Sequence, residues 1–386
     1  MAGPTPNDER RSLTGEVGGA FGDLGTLLPY ALGALTVAGL APAGVLAGFG
    51  AFLVASGLFF ALPLAVQPMK AAGAVLLAGD LGAGEVAATG LIMGAVMLAL
   101  GLTRAIGPVA RLIPQSVTAG LQLGLGLAMA VLGLELMAGT PWLGATLLVL
   151  LLVLMRLPRC PAAPVTILVA VAAATLAGTV TLPEAVAPGW QWPSVVMPTS
   201  HEAWRAVGLA VVPQLPLTLT NAVVITAVLA RDLFGEGAAR ASERNLALST
   251  GIGNLLLAPF GALPMCHGAG GLQAQHRFGA RTGLAPVLLG VLLLVLAFGF
   301  ADAAAGLMGL IPPAAVGALL LVAGVDLALS KRLFDARPAC WPAIALTAAL
   351  TLLANPAAAL AAGWAVETAR GPVMRAARRL GRRARP

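Results

Sequence analysis

The sequence predicts an all-α membrane protein whose 14 transmembrane segments form two inverted seven-span repeats, and three observations predict it. Hydrophobic residues make up 59% of the 386 positions and charged residues 10%, with a mean hydropathy of +0.92; a soluble domain is about a quarter charged. Apolar stretches recur from Phe21 almost to Arg370, and a helix needs about 20 such residues to cross roughly 30 Å of hydrocarbon. The halves of the chain also match: Leu62-Pro63 pairs with Leu263-Pro264 at an offset of 201, and Ile113-Pro114 with Ile311-Pro312 at an offset of 198.

In chain order the spans fall at roughly 17–40, 43–62, 69–79, 86–103, 109–137, 142–157, 163–180, 206–230, 243–261, 267–276, 283–301, 305–328, 338–354 and 356–369. The third and tenth are too short to cross as helices at about 1.5 Å per residue. Each follows a Pro-containing break, at Gln67-Pro68 and at Leu263-Pro264, and reads as a half-helix. Seven spans is an odd number, so the second repeat inserts upside down relative to the first.

The charges place the ends. With the amino terminus inside, of 23 Lys and Arg only Lys70 and Arg205 fall outside the cytoplasmic segments, which is the asymmetry of the positive-inside rule. The expected organisation is a cytoplasmic amino-terminal segment over 1–16, a first repeat over 17–180, an external Pro-rich linker over 181–205, a second repeat over 206–369 and a basic cytoplasmic tail over 370–386. The tail, with Arg370, Arg375, Arg378, Arg379, Arg382, Arg383 and Arg385, suits contact with anionic lipid. No cleavable signal is expected from the polar Met1 to Thr14. The predicted location is the plasma (inner) membrane, multi-pass, with both termini cytoplasmic.

The same features exclude other classes. Basic residues without aromatic interleaving argue against nucleic acid despite a pI near 10.6. Cys160, Cys266 and Cys340 are scattered without CxxC pairing, so no metal site is expected, and no cofactor motif stands out. There is no HExxH, no GxSxG beside a partner His and no paired intramembrane carboxylate, so no enzyme is expected.

The chemistry concentrates at the two breaks. A short helix that starts at membrane depth directs unpaired N–H groups and a positive dipole end into a cavity, and two of them from inverted repeats focus on one anion site. The first break, Val66 to Gly73, offers the Gln67 amide, Met69 and Lys70. A cation is disfavoured at a helix amino end, so Lys70 either answers to an anion or snorkels to the interface. The second break, Phe260 to Gln273, offers His267 and a glycine turn at Gly268, Gly270 and Gly271. The eighth span stacks Gln214, Thr218 and Asn221 on one helical face, either as ligands or as interhelical glue; Gln115, Gln122 and Asn254 read as glue. The first span adds Thr26 and Asp23, the only carboxylate expected near the site. Asp23 either takes a proton with the substrate, pairs with Lys70, or caps the break near Gly22 and Gly25.

Four segments carry a family resemblance. QPMKA at Gln67 to Ala71 and FGALPMCHGAGGLQAQHRFGARTG at Phe260 to Gly283 resemble the two signature segments of the molybdate transporter family related to sulfate permeases. FGDLGT at Phe21 to Thr26 and PQLPLTLTNAV at Pro213 to Val223 resemble the same family. Ala65, Gln273 and His276 depart from its pattern, at positions where Pro, Ala and Tyr are usual. The resemblance implies the fold of sulfate permeases, bicarbonate exchangers and nucleobase permeases, with core and gate domains, and a homodimer. It implies secondary active transport of a tetrahedral oxyanion, molybdate first and sulfate second, by alternating access. Nucleobase permeases typically place acidic residues where this chain has Gln214 and Gln273, which favours an anion over a base; an anion channel is the alternative of another class. The expected substrate-binding set is Gln67, Met69, Lys70, Gln214, Thr218, Asn221, His267, Gly268 and Thr26, with Asp23 as the coupling residue and protons as possible co-substrate.

Overall fold

The computed structural model describes residues 13–112, 114–157, 162–180, 188–301, 303, 310–354 and 356–383. Residues 1–12 of the amino-terminal segment, Ile113, the linker residues 181–187 and the last three residues of the basic tail lie outside the described residues. The first expected span is broken in two, α1 (Leu13–Ala20) and α2 (Leu24–Thr36). Turn hydrogen bonds from Gly22 N to Gly19 O and from Leu24 N to Phe21 O close the break. Next come α3 (Pro42–Phe60), strand β1 (Val66–Pro68), α4 (Lys70–Leu77), α5 (Ala83–Thr103), α6 (Ile106–Leu112), α7 (Gln115–Ala138), α8 (Pro141–Arg156) and α9 (Ala162–Leu176).

The second half has α10 (Ser200–Ala238), α11 (Glu243–Leu257), strand β2 (Met265–His267), α12 (Ala269–Arg277), α13 (Leu284–Gly299), α14 (Pro313–Ala328), α15 (Trp341–Leu353) and α16 (Pro356–Arg383). Among the described residues, five helical runs are long and apolar enough to cross a membrane, at Pro42–Phe60, Ala83–Thr103, Gln115–Ala138, Ser200–Ala238 and Pro313–Phe334; α2, α8, α9, α13 and α15 contain or form shorter apolar helices. The fold is mostly helical, but the expected all-α description needs correcting for β1 and β2. Two further boundaries differ. α10 starts at Ser200, inside the segment read as linker, because Thr199 and Glu202 form a reciprocal capping box. α16 continues to Arg383, so the backbone of the basic tail extends the last helix.

Helices α3, α5, α11 and α13 form one group, with α3 packed on α13 and α5 on α11; α7, α8, α14, α15 and α16 form another, centred on the α7–α14 pair. Glycine makes the closest of these contacts possible. A methyl group added at Gly324 of α14 would stand 2.6 Å from the carbonyl oxygen of Gly126 of α7, so the backbones touch without side chains between them. In hydrocarbon such small-residue seams replace the hydrophobic effect as the source of helix affinity.

Against the first group packs the two-stranded antiparallel sheet, with Val66 opposite His267, Gln67 opposite Cys266 and Pro68 opposite Met265. All six residues are buried. Irregular backbone at membrane depth must be satisfied by protein, and each break satisfies the other. Met69 N donates to Pro264 O at 2.8 Å. Asn254 of α11 holds the outer edge of β2, its Nδ2 donating to Met265 O at 2.6 Å and its Oδ1 accepting from Met265 N at 2.8 Å. Ser56 of α3 donates to Leu64 O beside β1. α4 has eight residues and α12 nine, about 12–14 Å at 1.5 Å per residue, so neither crosses a bilayer alone.

Arg205, the second cation that falls outside the expected cytoplasmic segments, is neutralised. Arg205 Nη1 pairs with Glu85 Oε1 at 2.9 Å, and Nη2 donates to Asp80 O at 3.1 Å. Part of the linker is pinned as well: Gly189 N and Gln191 N donate to Gly299 O and Phe298 O, and Trp190 and Trp192 pack on the Phe298 ring.

Candidate anion site

The half-helices meet an internal cavity of about 210 Å³ bordered by Gln67, Lys70, Gln214, Asn221, His267 and Gly268, with Gly270 and Cys266 beside them. On its far wall stand Gln122 of α7 and Asp326 of α14. A second cavity of about 360 Å³ shares Lys70, Gly270 and Asp326 and extends past Asp23, Thr26 and Tyr30 to Arg277. The cavity thus lies where the sheet and half-helices of one group face α7 and α14 of the other.

The two half-helix amino ends differ. At α4, Gln214 Oε1 accepts from Ala71 N at 2.8 Å and Ala72 N at 3.3 Å, while Gln214 Nε2 donates to Thr218 Oγ1 at 2.9 Å. The Gln214 amide, expected as a donor to the substrate, therefore presents its carbonyl to the helix end, and Thr218 is its support. At α12, no described side chain accepts from Ala269, Gly270 or Gly271, and the space above Gly270 is open. The first three N–H groups of a helix have no partner within the helix, so this end is free to meet an anion from the cavity.

Lys70 stands at the first residue of α4, partly exposed to both cavities. It forms no ion pair with a described residue, which corrects the expected alternative of a Lys70–Asp23 pair. Asp23 is buried and accepts instead from Gln67 Nε2 at 2.7 Å, and a hydrogen bond with the Thr26 side chain adds to it. Nor does the Asp23 side chain cap the backbone break. One of the two amide N–H groups of Gln67, expected for the anion, is thus taken up by Asp23. Gly268 and Gly271 leave room for that pair: a methyl on Gly271 would meet Asp23 Oδ2 at 2.6 Å and Gln67 Nε2 at 2.7 Å.

His267 borders the cavity, but its ring is turned away from it. Nε2 lies 2.7 Å from Ser249 Oγ and Nδ1 3.4 Å from Ala65 O, and the ring sits edge-on to Phe52 and Phe60. The expectation that His267 donates a ring N–H to the anion is corrected by this geometry, because a fully buried imidazole must find protein partners for both nitrogens. Met69 is buried, and its backbone N–H is used by Pro264. Asn221 reaches the cavity wall from a stretch, Thr218–Ile225, that is π-helical.

Asp326 contradicts the expectation that Asp23 is the only carboxylate near the site. It is exposed to the cavities, with Lys70 within electrostatic reach. Its signal was present in the sequence, an ionisable residue inside an apolar span. Gln122, expected as interhelical glue, also lines the cavity, and its buried Oε1 lacks a partner among the described residues.

Paired half-helices behind a short antiparallel sheet, set against a second helix group across a cavity, define a membrane transporter fold. The solved transmembrane domain of the cyanobacterium bicarbonate transporter BicA superposes with a TM-score of 0.65 over 92% of this chain and 97% of that one, at 20% identity. Murine Slc26a9, described as an anion transporter in the inward-facing state, superposes with a TM-score of 0.68 over 95% of this chain and 69% of that one, at 12% identity. The family profile described as "Molybdate transporter of MFS superfamily" matches residues 15–129 and 206–327. Molybdate transporter 1 of Arabidopsis thaliana is 34% identical over 83% of this chain and 80% of its own length, and molybdate transporter 2 of the same plant 29% identical over 92% and 87%. The chain belongs to the molybdate transporter family.

Proposed function

We propose that this protein is a secondary active transporter of a tetrahedral oxyanion, molybdate first, that works by alternating access with the anion held between the two half-helix amino termini. The observation that carries this reading is the conjunction of an unpaired Lys70 and the open amino end of α12 on one internal cavity. A divalent oxyanion needs several donors in a site of low dielectric. Lys70, the N–H groups of Ala269, Gly270 and Gly271, and the Asn221 amide supply them. Gln214 holds the other helix end in place, and Gln67 fixes Asp23 beside the site.

The group of α3, α5, α11 and α13 is the moving core in this reading, and the α7–α14 group is the gate. The pairings α3 with α13 and α5 with α11 exchange under the offset that relates the two Leu-Pro breaks, which supports 14 spans as two inverted repeats. Both termini then lie in the cytoplasm, the membrane is the plasma (inner) membrane, the 360 Å³ cavity with Arg277 opens inward, and the functional unit is a homodimer. Sulfate is the second substrate, since it shares charge and shape with molybdate, and a size difference alone discriminates by about 1–3 kcal/mol.

A carrier and an anion channel of this fold separate by counterflow. Proteoliposomes preloaded with unlabelled molybdate are expected to accumulate labelled molybdate transiently above equilibrium, with saturable rates; linear, non-saturating flux without counterflow would establish a channel. Asp23, buried beside the site and held by Gln67, is the coupling group in this reading. If proton and anion bind together, each raises the affinity for the other. Uptake is therefore expected to rise as external pH falls, and Asp23→Asn to lose that dependence while remaining folded; a folded variant with the parent's pH profile excludes Asp23.

A further inference from the structure

The gate wall carries a charge that the site chemistry above does not use. Asp326 lies on α14, which packs along α7, whereas Lys70 and the amino end of α12 belong to the half-helices on the other side of the same cavity. The two residues line both cavities, yet they do not make an ion pair. The charged groups bordering the larger cavity are Asp23, Lys70, Arg277 and Asp326. Asp23 is buried and tied to Gln67, whereas Asp326 is the carboxylate exposed to the cavities. Gln122, 4% exposed, borders the smaller cavity on the same wall, and its buried Oε1 has no partner among the described residues.

We propose that Asp326 is a gate-side sensor of occupancy, attracting the cationic site when it is empty and repelling it when a divalent oxyanion is bound. The inference rests on the transport reading. Loading changes the charge opposite Asp326 by two units, or by one where Asp23 takes up a proton together with the anion, so in either case the interaction across the cavity becomes less favourable on binding. Two effects follow. The carboxylate weakens equilibrium binding of the anion, and it drives the anion's release along the cavity that Asp326 borders. Asp326 is a positioning residue by this account, since it acts on the anion through the field and without donating to it.

The test is equilibrium binding of molybdate to purified parent protein, Asp326→Asn and Asp326→Glu, together with uptake kinetics in proteoliposomes. Removing the charge is expected to tighten binding roughly tenfold and to lower both KM and kcat for molybdate; the Glu variant is expected to stay near the parent. Raised ionic strength should shrink the difference between parent and Asn variant. A carboxylate that merely held the helices together would weaken binding or leave it unchanged on removal, and either result in a folded Asn variant overturns the proposal. If Asp326→Asn does not fold, Asp326→Ser takes its place with the same two outcomes. Failure of the transport reading is distinguishable, because there the parent itself would not bind molybdate.

Discussion

Replacement of Lys70 by alanine is expected to weaken molybdate binding by at least roughly ten- to hundredfold, the loss of one hydrogen bond to a charged ligand at about 1.5–3 kcal/mol, with the lost attraction in a low-dielectric cavity adding to it. The size of the effect follows from Lys70's solitude. No described carboxylate forms an ion pair with it; Asp23 and Asp326 feel its charge only through the field, so its removal breaks no direct contact. The variant should therefore insert and fold like the parent. Lys70→Arg keeps the charge but enlarges the head and changes its geometry, and partial binding is expected. Calorimetry on purified protein measures both, and an alanine variant that binds as the parent does removes Lys70 from the site.

Asn254→Leu is expected to destabilise the protein by roughly 2–6 kcal/mol, since it strands both the N–H and the C=O of Met265, and each buried unsatisfied group costs about 1–3 kcal/mol. That is a large share of typical total stability. The Asn254 amide acts as a third strand for β2, pairing with the one residue edge that β1 cannot reach. Ser56→Ala on the other side removes a single donor to Leu64 O and should cost less. Thermal unfolding in detergent checks both, and an Asn254→Leu protein with the parent's Tm would show that water satisfies the β2 edge.

The half-helices were legible in the sequence because proline and glycine interrupt apolar runs there, and Lys70 because a charge inside hydrocarbon is costly enough to be noticed. The strands between them were not. Three residues are too few to show alternation, Pro68 argues against a strand, and the pairing joins positions about 200 apart. Gln214 was recognised as a site residue, but an amide is donor and acceptor at once, and only the placement of Ala71 and Ala72 shows that its oxygen faces α4. The same limit applies to His267, whose partners Ser249 and Ala65 lie on other segments. The π-helical stretches in α10 escaped as well: Pro213 and Pro216 are visible as missing donors, but not how the ladder rearranges around them. Asp326 is a single charge in an otherwise apolar span, and only the packing of α14 across the cavity shows that it faces Lys70's side of the site.

The central claim is that the cavity between Lys70 and the amino end of α12 selects a tetrahedral oxyanion. Uptake of labelled molybdate into proteoliposomes containing the purified protein, with excess tungstate, sulfate or uracil outside, tests it most directly. Saturable uptake that tungstate suppresses strongly, sulfate suppresses less and uracil leaves unchanged is the predicted result; no uptake above protein-free liposomes, or competition by uracil, would contradict it.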